Sequence, residues 1–174
     1  MKKIKLIVLD VDGVLTDGKL YIGSNEEEYK AFHTQDGMGI SLVRYSGIKV
    51  AIITGRKSPA VEKRAQELKI DFVYQGIDDK LSILEELLND LNLTKEEVCY
   101  IGDDINDLPI LQVVGFAAAP VNAVKAVKNH VHFIASKNGG EGAVREIIDQ
   151  MLAEQHHYEQ LLSDYVDGKV KMTQ

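Results

Sequence analysis

Short runs of apolar and β-branched residues alternate along the chain with longer stretches in which apolar residues return every three or four positions. Residues 4–9, 50–53, 72–74, 98–101 and 116–118 are the short runs, and they read as strands buried on both faces. Residues 39–45, 59–68, 80–91 and 108–113 read as helices. In residues 80–91 the leucines at 81, 84, 87, 88 and 91 fall on one helical face. Pro59 suits a first helical turn with Ser58 as its cap, and Thr94 with Glu97 forms a capping-box pattern. Strands alternating with helices predict an α/β fold, a Rossmann-like parallel sheet covered by helices on both faces. Such sheets bind ligands at the carboxyl ends of their strands.

Two stretches break the alternation. Residues 19–22 and 28–32 flank Gly23-Ser24-Asn25 and predict a projecting β-hairpin, with Tyr21, Tyr29 and Phe32 giving it apolar faces. Two isolated strands are marginal in water, so an oligomer is expected to bury those faces. Residues 143 to about 162 read as one final helix, followed by a polar and mobile tail from Ser163 to Gln174.

Composition narrows the class. The 174 residues suffice for one domain, and 45% hydrophobic with 27% charged residues is an ordinary globular mixture. A net charge of −7 argues against nucleic acid or an anionic membrane as partner. The apolar run after the basic MKKIK start is short and lacks a cleavage site, so it reads as a core strand rather than a secretion signal. Cys99 is the one cysteine, on a predicted core strand, and a reducing, cytoplasmic setting is expected.

The candidate chemistry lies at the strand ends. The first strand runs into Asp10-Val11-Asp12-Gly13, the second into Thr54-Gly55-Arg56, and the fourth into Gly102-Asp103-Asp104-Ile105-Asn106-Asp107. Lys80 opens the third helix after Asp78-Asp79. Each of these alone is an ordinary turn, cap or solvated side chain. Together they bring five carboxylates to one cleft, which like charges tolerate only beside a cation. An all-oxygen set suits a hard ion, Mg²⁺ above all, and an ion with open positions suits phosphate. Asp10 is placed to attack phosphorus, and Asp12 to protonate the leaving oxygen and then activate water. Lys80 and the Thr54 hydroxyl are donors for phosphoryl oxygens.

In this order and spacing the motifs resemble those of the haloacid dehalogenase superfamily of phosphohydrolases over nearly the whole chain. The resemblance implies Asp10 as nucleophile, Asp12 as general acid/base, and Mg²⁺ held by the Asp10 carboxylate, the Asp12 main-chain carbonyl and Asp103. Asp104 and Asp107 become acidic neighbours orienting metal waters or Lys80. Asp36-Gly37-Met38-Gly39-Ile40, residues 50–57, Gln75-Gly76 and Gly139-Gly140-Glu141-Gly142-Ala143-Val144-Arg145-Glu146 further resemble the 3-deoxy-D-manno-octulosonate 8-phosphate phosphatase group. That group implies a domain without a cap over residues 1–162, hairpin at about 19–32, and a homotetramer in which neighbours cover the site. The substrate implied is a small sugar-acid phosphate. Relatives acting on nine-carbon sugar acids share the core motifs, but tend to carry Glu where this chain has Arg56. Arg56, beside Gly55, suits a bidentate grip on a sugar carboxylate, and Arg64 is a second candidate. Glu141 departs from the basic or neutral residue expected in the Gly-rich loop, and the match of the Asp167-Gly168-Lys169-Val170-Lys171 tail is weak.

Two rivals use similar parts. A phosphorylatable receiver module also combines an acidic pocket, Mg²⁺, Thr and Lys, but places its phosphorylated Asp on a middle strand, where this chain has Gln75-Gly76. A dehalogenase needs the first Asp but no metal, leaving Asp12 and Asp103 without purpose. His156-His157 point about 100° apart on a helix and suit a solvated end better than a metal. His33 reads as a surface or interface residue.

Overall fold

The structure, a computed structural model, describes residues 3–25, 27–155 and 158–170. The strands β1 (Leu6–Leu9), β4 (Lys49–Thr54), β5 (Phe72–Gln75), β6 (Val98–Ile101), β7 (Phe116–Ala119) and β8 (Phe133–Ile134) form one parallel sheet in the order β5-β4-β1-β6-β7-β8. Its central strand β1 pairs on one side with β4 (Leu6 opposite Lys49) and on the other with β6 (Leu6 opposite Val98).

Both faces of β1 are buried, as its uninterrupted apolar run requires. Ile7 and Leu9 face a core shared with α1 (Thr34–Tyr45), α2 (Pro59–Glu67) and α6 (Ala143–Glu154). Leu6 and Val8 face a second core shared with α3 (Lys80–Leu91), α4 (Leu108–Leu111) and α5 (Lys125–Lys128). The predicted α/β layering is therefore the observed one. The Thr94–Glu97 capping box forms, but Ser58 makes no capping bond; its N–H donates instead to Gln75 Oε1 at 2.8 Å.

Other expectations need correction. Helix α1 begins at Thr34 rather than at residue 39, capped by His33, whose Nδ1 accepts the Gln35 N–H at 3.3 Å. Gly39, one of the glycines that disguise its first turns, is a packing device: a Cβ there would lie 3.1 Å from Arg145 Cδ and 3.3 Å from its Cα, on α6. Asp36 on α1 accepts the Arg145 N–H at 2.9 Å, so one helix caps the other. The expected final helix is two, α6 and α7 (Tyr158–Val166), and helix extends past Ser163 where a tail was expected. His156-His157 lie between them, outside the described residues. The two-residue strand β8 and four-residue α5 were not anticipated.

The hairpin forms from β2 (Tyr21–Ile22) and β3 (Glu28–Tyr29), antiparallel, with Tyr21 opposite Tyr29. Ile22 is 69% and Tyr29 61% exposed. Phe32 departs from the expectation: it packs on the chain's own core rather than on a hairpin face.

Candidate active site

Because β4, β1 and β6 are adjacent and parallel, their carboxyl ends deliver Thr54, Asp10 and Asp103 to the same edge of the sheet. They line a cleft of about 310 Å³, together with Asp12, Gly55, Arg56 and Asp104. Lys80 and Asp107 lie buried beside it, 3% and 0% exposed.

The Asp10 carboxylate is fixed at both oxygens. Oδ1 accepts the Val11 N–H at 2.7 Å, and Oδ2 pairs with Lys80 Nζ at 2.9 Å. Lys80 is aimed there by its place at the start of α3, whose cap is Asp79, and by Asp107 Oδ1 at 2.8 Å. The same Asp107 oxygen accepts the buried Tyr100 hydroxyl, while Oδ2 accepts the Asp103 and Asp104 N–H groups at 2.9 and 3.3 Å. Asp107 thus binds helix α3, strand β6 and the loop after it into one unit. That loop needs glycine at 102, where a Cβ would sit 2.5 Å from Asp107 Cγ.

The charge distribution is strained in one direction. Burial pushes Asp10 up to about 6, with repulsion from Asp107 adding to it and Lys80 opposing it. Burial raises Asp103 to about 7, reinforced by Asp10, Asp107 and Asp104. Burial works against the charge of Lys80, but Asp10 and Asp107 outweigh it and hold its pKa above the ordinary lysine value. One carboxylate oxygen each from Asp10, Asp103 and Asp107 lies within 4.8 Å of the others. Three oxygens this close, two of them on carboxyls destabilised by mutual repulsion, fit a hard divalent cation. Asp107 is the least available of the three, since each of its oxygens already accepts two hydrogen bonds, whereas each Asp10 oxygen has one partner. Gly13 packs directly against Asp103: its φ is +85°, and a Cβ there would lie 2.1 Å from Asp103 Oδ2.

Not every expected residue joins the cluster. Asp104 lines the cleft, and its Oδ1 accepts the Ile105 N–H at 2.7 Å. Arg56 lines the cleft but is engaged by Glu28 of the hairpin at 2.5 Å. Arg64 stands outside the cleft lining. Its guanidinium lies 5.9 Å from the Phe32 ring centroid and 3.4 Å from Glu67, in a separate small cavity with His33. Cys99 is buried, and burial pushes its thiol pKa up, as a small core residue should show.

Three contributors escaped the sequence reading. Lys30 Nζ reaches Asp12 Oδ1 at 2.5 Å and Glu28 Oε1 at 3.1 Å. Tyr100, counted only as an apolar strand position, anchors Asp107. Asn122 donates to the Gly13 carbonyl at 3.0 Å and accepts the Gly139 N–H at 2.7 Å, strapping the Gly-rich loop to the loop after β1. Glu141 turns back within that loop, accepting the Asn138 amide at 3.0 Å. No short-range pattern marks Lys30 or Asn122, since their partners lie 18 and 109 residues away.

The chain is similar to known proteins over most of its length. Residues 72–148 match the model of haloacid dehalogenase-like hydrolases. The 3-deoxy-D-manno-octulosonate 8-phosphate phosphatase of Escherichia coli K12 is 44% identical over 154 residues, 88% of this chain and 82% of that protein. A crystal structure of a probable YrbI family phosphatase from Pseudomonas syringae pv. phaseolica superposes with a TM-score of 0.92 at 47% identity, covering 95% and 94% of the two chains. The Moraxella catarrhalis 3-deoxy-D-manno-octulosonate 8-phosphate phosphatase, crystallised with magnesium, phosphate and the sugar acid, superposes at 0.90 with 40% identity, covering 93% of each chain.

Proposed function

We propose that this chain, which belongs to the 3-deoxy-D-manno-octulosonate 8-phosphate phosphatases among the haloacid dehalogenase-like hydrolases, is a Mg²⁺-dependent phosphomonoesterase releasing that sugar acid and phosphate. The observation that carries the reading is Asp10, held between Lys80 and an oxygen cluster sized for a divalent ion.

An Asp10 oxygen attacks phosphorus, forming an aspartyl-phosphate as the bond to the sugar oxygen breaks. Asp12 gives its proton to that departing oxygen. It then takes a proton from the water that attacks the phosphoenzyme, releasing phosphate and restoring the Asp10 carboxylate. Thr54, Gly55 and Lys80 are the donors around the phosphoryl oxygens. Asp10, the Asp12 main-chain carbonyl and Asp103 would hold Mg²⁺, which supplies neutralising charge at the phosphoryl group. Asp107 keeps Lys80 and the metal loop in place, and Asp104 stands at the cleft rim.

Arg56 faces the sugar carboxylate in this reading, and a substrate reaching it displaces Glu28. Arg64 takes no substrate contact within its own chain. The assembly is a homotetramer built on the exposed hairpin, and the setting is cytoplasmic. No helix among the described residues is long and apolar enough to cross a membrane, consistent with that setting.

Phosphate release from 3-deoxy-D-manno-octulosonate 8-phosphate, with and without chelator, tests the reaction. Asp10→Asn should fall to background; sustained turnover in that variant, with deamidation back to Asp excluded, defeats the nucleophile assignment. Many turnovers per chain exclude the stored phospho-state of a receiver module. Arg56→Glu should shift preference toward nine-carbon sugar-acid 9-phosphates, and an unchanged ratio removes Arg56 from substrate choice.

A further inference from the structure

Lys30 lies beyond the projecting hairpin, yet its side chain is only 1% exposed. Lysine is rarely hidden without a reason, because burying its charge is costly unless the ammonium is paired. Glu28 would suffice for neutralisation. The ammonium nevertheless reaches into the loop after β1 and donates to Asp12 Oδ1 at 2.5 Å. Asp12 has little else to orient it: Arg56 Nε stands 3.9 Å from Oδ2, beyond hydrogen-bond distance. Oδ1 is thereby pinned, and Oδ2 takes no hydrogen bond from Arg56.

We infer that Lys30 is a positioning residue that aims the Asp12 carboxyl at the leaving oxygen of the substrate. The inference rests on the reading of Asp12 as the acid. Glu28 completes the device, pairing at once with Lys30 at 3.1 Å and with Arg56 at 2.5 Å. The hairpin, remote from the sheet edge in sequence, thus supplies the element that orients the proton donor.

Dependence on the leaving group separates this role from simple support of the fold. A sugar alkoxide departs only with a proton, whereas 4-nitrophenoxide departs without one, so a misplaced acid penalises the first and spares the second. The comparison belongs on kcat/KM, which reports steps through cleavage of the substrate phosphorus–oxygen bond and not the later hydrolysis of the aspartyl-phosphate. In Lys30→Met, kcat/KM for 3-deoxy-D-manno-octulosonate 8-phosphate should drop about tenfold or more, and for 4-nitrophenyl phosphate by less than about threefold. Both substrates are measured on the same preparation, so any unfolded fraction cancels in the ratio. Lys30→Arg, which keeps a donor, should recover part of the lost ratio. Equal losses on both substrates, or no loss on either, overturn the role. Asp12→Asn serves as the reference and should show the largest contrast. A flat contrast there removes the acid assignment itself, and the Lys30 role with it.

Discussion

Asp10 and Asp103 titrate well above the ordinary carboxylate value of 3.8, near 6 and 7, because burial and mutual repulsion disfavour their charged forms. Without a divalent ion these two carboxyls therefore bind more protons in the folded protein than in the unfolded chain between about pH 4 and 7. These two groups favour folding at the acid end of that window, and the contribution is lost as pH rises through their folded pKa values. A cation reverses the trend, since it binds the deprotonated carboxylates. Thermal melts should show the stabilisation by a fixed Mg²⁺ concentration growing from about pH 5.5 to about pH 8. A constant or shrinking increment would contradict the metal site. Asp103→Asn relieves the repulsion, and its metal-free melting temperature at about pH 8 should rise by about 2–4 °C, on the order of 1 kcal/mol. The same variant should lose most of the Mg²⁺ response, whereas a drop in its metal-free melting temperature would count against repulsion as the cause.

At the scale of elements, the site depends on how tightly three loops are strapped to one another. Gly102→Ala places a methyl group 2.5 Å from Asp107 Cγ, a side chain tied to Lys80, Tyr100 and two backbone N–H groups and so unable to retreat. A loss of about 1–3 kcal/mol in denaturant melts is expected, with turnover falling alongside it. Asn122→Ala severs both straps between Gly13 and Gly139 and should cost about 1–3 kcal/mol. A neutral outcome in either variant would show that the loops hold without these contacts. The same comparison explains what was legible in the sequence. Strands β1, β4, β6 and β7 announce themselves because a parallel strand buried on both faces must be largely apolar, whereas the edge strand β5 is only half-buried and is legible from its short β-rich run alone. The acids at their ends are legible because Asp10 and Asp103 sit one and two residues beyond such runs. Short elements are not: α5 and β8 span four and two residues, too few for a period to show. The start of α1 is hidden because Gly37 and Gly39 look like breakers, and the reason for Gly39, the close approach of α6, is tertiary. Lys30, Tyr100 and Asn122 escape for the same cause, being ordinary residues made functional by distant partners.

For the molecule as a whole, the proposed tetramer and the proposed site both draw on the hairpin segment. Ile22 and Tyr29 hold its apolar surface toward solvent, while Glu28 within it and Lys30 just after it pair with Arg56 and Asp12 of the cleft. Ile22→Asp should dissociate the proposed tetramer in sedimentation experiments, and activity should decline with it; an intact tetramer would mean that other surfaces hold the subunits together.

The central position of β1 has a practical consequence. It is clasped by β4 on one side and by β6 on the other, both later in the chain, with the exposed Asp78-Asp79 turn between those partners in sequence. A cut at that turn leaves Asp10, Thr54 and the hairpin on one piece, and Lys80, Asp103 and Asp107 on the other. Neither half owns a full set of reacting groups, but their reunion along the sheet restores it. Fused separately to two proteins that bind each other, the halves should act as a complementation sensor whose readout is liberated phosphate.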